Sequence, residues 1–419
     1  MTKNSVLLLS LLMGCQTDNI EPVDDPIINP NCALDDRVAN DAALRAAAAN
    51  DDFAWDLYNI VQANSDIDDN IFFSPYSITT ALGMTMAGAV DDTYTEMATV
   101  LYADENEEEH HAGYKELQET VLTDAGGCVT QTHIANRIFA QSGYTWLPDF
   151  LDNASINYDA PVEDLDFISD PDGSRVYIND WVADQTEDKI LDLLPEGAIS
   201  SNVRMVLTNA IYFKANWMEQ FDESDTGDSP FTLSSGETVT VPMMRRSGSA
   251  AMGWSNGITT LELSYDGDFQ SMLILLPDNP EELQDIEASL DSAFLTEIKD
   301  ALQPIDDMDV FIPRFTIEEE ISLSQALVSL GMPTAFSASS ADFSRMSEEL
   351  GQGLFIEEVY HKAFIEVDES GSEAAAATAV VVSDESAAPF FYADHPFVFL
   401  IQDNATGAIL FLGRVSDPS

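Results

Sequence analysis

Basic residues are scarce in this 419-residue chain: Lys and Arg total 16 against 75 Asp and Glu, a formal net charge of −59. A field that negative argues against nucleic acid, heparin-like polyanions and anionic lipid surfaces as partners. It suits a soluble surface in salty surroundings, or steering toward a basic partner. Histidine is scarce too, and His110, His111, His133, His361 and His395 form no His-Glu-x-x-His zinc pattern. Neither a Gly-x-Ser-x-Gly nucleophile elbow nor a phosphate-cradling Gly-rich loop occurs. The three cysteines lack zinc-ligand spacing, so the sequence calls for no metal or cofactor and does not read as an enzyme. Asp166, Asp170, Asp172 and Gly173 hint at a calcium loop, but the ligand spacing fails and the cluster reads as a turn. His110 and His111 are expected on an exposed acidic helix face, and His361 as a hydrogen-bonded core residue.

The N-terminus places Lys3 before an apolar run, residues 5–13, too short to span a bilayer but suited to a signal peptide. Leu12-Met13-Gly14-Cys15 resembles a bacterial lipobox, in which Cys15 would be lipidated; ordinary cleavage with release is the alternative. Residues 15–39 are acidic and contain Pro22, Pro26 and Pro30, as a flexible tether would. Export permits Cys32 and Cys128 to pair, but two unrelated thiols fit equally well. The expected organisation is signal peptide 1–14, tether 15–39 and one domain 40–419, exported and membrane-attached only through an N-terminal lipid.

Within the domain, helical spacing comes early. Phe53, Leu57, Ile60 and Val61 mark one helix. Ser74-Pro75 starts a second, with Ile78, Leu82, Met86 and Ala89 on one face. An acidic helix is expected over 105–122, another over 174–194, and a short one over 323–330 that stops at Gly331. Residues 203–213 read as one central strand covered on both faces, and 272–276, 397–401 and 408–413 as short buried strands. Helices first and strands later imply an α+β fold.

One segment carries mixed instructions. Ala374, Ala375, Ala376 and Ala377 favour helix, whereas Thr378, Val380, Val381 and Val382 favour strand. Read as a strand, one face holds Ser372, Ala374, Ala376, Thr378, Val380 and Val382; the other, after Glu373, holds Ala375, Ala377, Ala379 and Val381. Both faces lack bulk, which a strand entering between two existing strands requires. Gly371 supplies a pivot.

This segment resembles the hinge and reactive loop of the serpin family. Residues 70–78, 179–190 and 208–217 resemble family markers, His361-Lys362-Ala363 precedes the hinge as in the family, and residues 391–401 fit its signature. The likeness covers about residues 40–419. It implies a fold of about nine helices around three β-sheets, with an exposed reactive loop and a metastable main sheet. It implies a suicide-substrate inhibitor that forms a covalent acyl-enzyme with a serine protease, or with a cysteine protease, and then inserts its cleaved loop. The alternative is a serpin-fold binding protein or chaperone without inhibition.

By the same resemblance the hinge is Glu369, Gly371, Ser372, Glu373, Ala374, Ala375, Ala376, Ala377 and Thr378. Ser74, Ser77, Asn209 and His361 would form a polar shutter, and Trp217, Arg314 and Glu369 a breach where insertion begins, with Arg314 and Glu369 ion-paired. Counting forward from Gly371 and back from Pro396-Phe397 both place the bait bond at Glu385–Ser386; one residue of slip would put Asp384 before it. An acidic bait implies a target with a basic specificity pocket: a glutamyl endopeptidase first, an Asp-cleaving enzyme second, an elastase-like cut near Val382 third. Ser370, Ser372 and Ala215 depart from the usual family residues without adding charge or bulk. A monomer without polyanion activation is expected.

Overall fold

A computed structural model describes residues 36–122, 130–134, 136–208, 210–372 and 389–419. Among these are nine α-helices: α1 (Asp41–Asn64), α2 (Pro75–Met86), α3 (Asp91–Val100), α4 (Glu107–Val121), α5 (Pro148–Tyr158), α6 (Pro171–Gln185), α7 (Leu283–Glu287), α8 (Ser292–Ala301) and α9 (Ser324–Leu330). They surround three sheets, the α+β arrangement expected.

The largest sheet runs β1 (Ile71–Phe73), β17 (Ile409–Val415), β16 (Phe397–Asp403), β10 (Gln270–Pro277), β9 (Ile258–Ser264), β8 (Thr238–Ser255), β11 (Gln303–Pro313) and β15 (Phe390–Tyr392), with β7 (Gly227–Thr232) also on β8. A second contains β12 (Phe315–Ser322), β13 (Tyr360–Val367), β6 (Ala210–Asn216), β14 (Gly371–Ser372) and β2 (Thr130–Ile134). The third is β4 (Val162–Leu165), β3 (Arg137–Gln141) and β5 (Met205–Thr208). The second and third sheets meet end to end. Ile134 faces Ile211 and Arg137 faces Thr208, so the antiparallel register of β2 on β6 carries on unchanged into β3 on β5.

The expected strand over 203–213 is described as β5 and β6 on either side of Asn209, which lies outside the described residues, and their partners keep one register. Val203 and Arg204 lie outside both, and the strand reaches further, to Asn216. Only β6 has the covered run Ala210–Phe213; Met205, Val206 and Leu207 are half-buried because a cavity adjoins them. The helix expected over 174–194 starts at Pro171, capped by the Asp170 carboxylate, and stops at Gln185. Glu187 and Asp188 take left-handed backbone angles that end it. Ile190, Leu193 and Leu194 are buried from the return loop instead. Asn179 staples that loop, its amide nitrogen donating to the Leu194 carbonyl and its amide oxygen accepting from Leu194 N–H.

Helix α2 starts as its sequence dictates, with the Ser74 hydroxyl accepting from Ser77 N–H and Pro75 in the first turn. It is buried on every side rather than along one stripe. Phe72 beside it stacks on Phe399 at 5.8 Å and on Phe411 at 5.4 Å, tying β1 to the two strands that end the chain. Gly413 permits this approach, since a side chain there would meet the Ile71 carbonyl and the Phe399 ring.

His110 and His111 correct another expectation: each is 3% exposed. Gly113 lets α4 close on Ala42 and Ala46 of α1, which turns the histidine face inward. There His111 Nδ1 lies 2.6 Å from the Tyr158 hydroxyl, and His110 packs on Tyr114. Burial pushes the His110 imidazole down to about 4, so it is neutral at pH 7. The Asp166–Gly173 cluster is a turn and a helix cap, and among the described residues no group of His, Cys, Asp or Glu could hold a metal.

Replacing Phe72 with Ala removes a fully enclosed ring from this three-ring stack. The expected cost is about 3–5 kcal/mol, read as a lower urea midpoint with an unchanged m-value.

Candidate functional site

The site is built on the two edges of β6. One edge is taken by β2, from Ala215 down to Ile211. The other is shared. Low on β6, Ala210, Ile211 and Tyr212 pair in parallel with Lys362, Ala363 and Phe364 of β13. Higher up, Asn216 and Ala215 pair antiparallel with Gly371 and Ser372 of β14. Above Phe364, Ile365–Val367 of β13 pair with β12 and, among the described strands, not with β6. The chain thus climbs β13, reverses over 368–370, and starts back down against β6. Gly371 is required at the reversal: its φ is +152°, and an added Cβ would lie 2.1 Å from the Ala215 carbonyl.

Trp217, Arg314 and Glu369 meet around this reversal. Trp217 N–H donates to the Ser370 carbonyl, and its indole N–H to the Asp368 carbonyl. Its ring stacks on Tyr265 at 4.5 Å, almost parallel. Phe221 N–H donates to the Glu369 carbonyl, and the Asp368 carboxylate accepts from Ser370 and Gly371 N–H. Arg314 donates to Glu369 Oε1 at 2.5 Å, and Thr226 donates to the same oxygen. Burial alone would raise the Glu369 carboxyl, but these hydrogen bonds outweigh it and hold it below the usual range. The sequence gives no sign of Thr226 or Tyr265 here; both arrive from elements remote in the chain.

Below the reversal lies a polar centre. His361 is fully buried, and its Nε2 accepts from Ser74 N–H at 3.0 Å. The Ser74 hydroxyl donates to the Leu410 carbonyl, so one serine links α2, β13 and β17. Ser77 donates to the Asn136 side chain at 3.4 Å. Lower still, Met205, Val206 and Leu207 of β5 face Phe355, Ile356 and Tyr360 across a cavity of about 540 Å³. The shared edge of β6 and β5 therefore has three zones: a two-residue wedge, a three-pair parallel seam, and a cavity.

Asn209, Glu373–Thr378, Glu385, Ser386, Cys15, Cys32 and Cys128 lie outside the described residues.

The family model described as Serpin (serine protease inhibitor) matches residues 48–418. The chain belongs to the serpin family. Serpin B6 of Macaca fascicularis is 39% identical over 89% of this chain and 99% of its own length. The leukocyte elastase inhibitor of Sus scrofa is also 39% identical, over the same shares. Among solved structures, uncleaved ovalbumin superposes with a TM-score of 0.79 at 30% identity, over 89% of this serpin and all of ovalbumin. Human thyroxine-binding globulin complexed with thyroxine gives 0.81 at 31% identity, over 90% of this chain and all of the other. Serpin membership sets the chain apart from catalytic proteins.

Burial drives the His361 imidazole down to about 3, against about 6.5 in an unfolded chain. Between those values the unfolded state binds the extra proton, so this histidine's contribution to stability falls as pH drops from about 6.5 toward 3. Protonation would also turn the acceptor facing Ser74 N–H into a donor. The expected slope is at most about 1.4 kcal/mol per pH unit. Neutralising surface carboxylates acts the other way, so the measurement is a difference: His361→Gln, which keeps an acceptor and does not titrate, should show a flatter fall of urea midpoint between pH 7 and 4.5 than the wild type.

Proposed function

We propose that this serpin is a suicide-substrate inhibitor of serine endopeptidases with an acidic primary specificity. The carrying observation is the wedge: Gly371 and Ser372 already occupy the edge of β6 above the seam with β13. Residues from Glu373 onward, small on both strand faces, continue directly from that wedge. Unzipping the three parallel pairs would join wedge to cavity in one slot.

The chemistry assigns each atom. The protease serine oxygen attacks the Glu385 carbonyl carbon, the Glu385–Ser386 bond breaks, and Ser386 leaves as a free amine. The resulting ester ties the protease to the end of the loop. Gly371 to Glu385 is 15 residues, roughly 50 Å when extended. A compact domain of this size is about 50 Å across, so insertion carries the protease from one pole to the other. A dozen or more new backbone bonds, at about 1 kcal/mol each, favour insertion by on the order of 10 kcal/mol. The intact form is then held by kinetics.

A basic specificity pocket is the natural complement of Glu385, and Asp384 supplies the same chemistry one residue earlier. Export, attachment through Cys15 and a monomeric working form complete the proposal. The competing reading, a binding protein without inhibition, draws on the likeness to thyroxine-binding globulin in complex with thyroxine.

Incubation with a Glu-specific serine protease should yield a covalent complex that survives boiling in SDS, with a new C-terminus at Glu385 or Asp384 by mass spectrometry. Clean cleavage without complex would favour the binding-protein reading. Ala376→Arg puts a charge on an inserting face and should turn inhibitor into substrate, raising the stoichiometry of inhibition at least severalfold; an unchanged stoichiometry would contradict insertion of that stretch.

A further inference from the structure

In the segment that leads into α1, the Arg37 side chain is buried against the body. Arg37 is 10% exposed, whereas its neighbour Val38 is 92% exposed. The guanidinium donates to the Thr120 carbonyl in the last turn of α4, and to the Phe269 carbonyl at the start of β10. It pairs at 2.8 Å with Asp403, fully buried at the end of β16, and lies 4.8 Å from the centre of the Phe269 ring. Asp403 is itself held, accepting from Thr406 N–H and its hydroxyl. Three residues on, the Asn40 side chain donates to Glu116, one turn back along α4.

These contacts join the end of α4 to the large sheet. The end of α4 leads by sequence into β2, which is laddered to β6, on the side of the seam that must move away from β13. β10 and β16 belong to the other, larger sheet. The contacts also lie at the wedge end: Phe269 follows the turn after Tyr265, whose ring stacks on Trp217, and Thr130 of β2 faces Ala215, the partner of Ser372. Charge-assisted bonds to two carbonyls, made by one planar group beside a buried carboxylate, are strong and directional.

We infer that Arg37 is a brace that ties the β2–β6 half of the sheet to the large sheet and so slows opening of the β6–β13 seam. The inference rests on the insertion reading for its functional meaning, but the brace can be measured without a protease. The probe is hydrogen exchange, followed by mass spectrometry, in the intact full-length protein. Arg37→Met keeps an apolar stem and removes the bonds. It should speed exchange about tenfold in β2, β6 and residues 362–364, the change expected from losing roughly one strong hydrogen bond, and leave β10 and β16 unchanged. Arg45→Met is the control, since Arg45 makes exposed contacts, to Asp104, Glu109 and the Asp41 carbonyl, near the same helices. Asp403→Asn, which still accepts from Thr406, should move the same strands less and serves if Arg37→Met does not fold.

Unchanged exchange in both variants, or a uniform rise that includes β10 and β16, overturns the brace. A chain that forms no covalent complex, yet opens faster at the seam in Arg37→Met, loses the trapping mechanism and keeps the brace. Trapping with unaltered exchange does the reverse.

Discussion

Everything in this molecule turns on one contested row of hydrogen-bonding groups, the free edge of β6. β2 fills the opposite edge, so β13 and β14 must divide what remains. They run in opposite directions along it, and each occupies only part of its length. The Trp217, Arg314, Glu369 and Thr226 contacts hold the reversal that brings β14 to its share. The His361–Ser74 bond fixes β13 to α2 below it. A sheet with one undecided seam differs from a finished one in needing such supports above and below the gap.

The scarcity of cations sharpens their placement. Arg414 is buried with Glu287, Arg246 pairs with Glu219, Arg137 with Glu163 and Arg345 with Glu107. Each ties together elements remote in sequence. Around them a surface rich in carboxylates repels itself, and that repulsion weakens as salt screens it over about 10 Å at 0.1 M. Paired arginines hold the architecture while unpaired acids set the solution behaviour.

Local chemistry was legible and tertiary chemistry was less so. Ser74-Pro75 announced the start of α2, and Gly331 its counterpart at the end of α9, because caps and stops depend on a few adjacent residues. The end of α6 was hidden: Ile190, Leu193 and Leu194 continue an apolar rhythm, but left-handed turns at Glu187 and Asp188 carry them into a loop. His110 and His111 looked exposed because the sequence around them is acidic; only the docking of α4 on α1 through Gly113 buries them. Arg314 and Glu369, 55 residues apart, were brought together by family likeness rather than by spacing. Thr226, from a further remote element, carried no signal at all.

The parallel seam between β6 and β13 has a directional consequence. A strand entering there, continuing the sense of β14, runs antiparallel to both neighbours. Across the three parallel pairs, an entering strand would replace one parallel row with two antiparallel rows. Going back requires both rows to break at once, with nothing to pull the strand out. On the proposed mechanism the seam is a ratchet, and a molecule working by it is single-use: its protective capacity is counted in copies, not in turnovers.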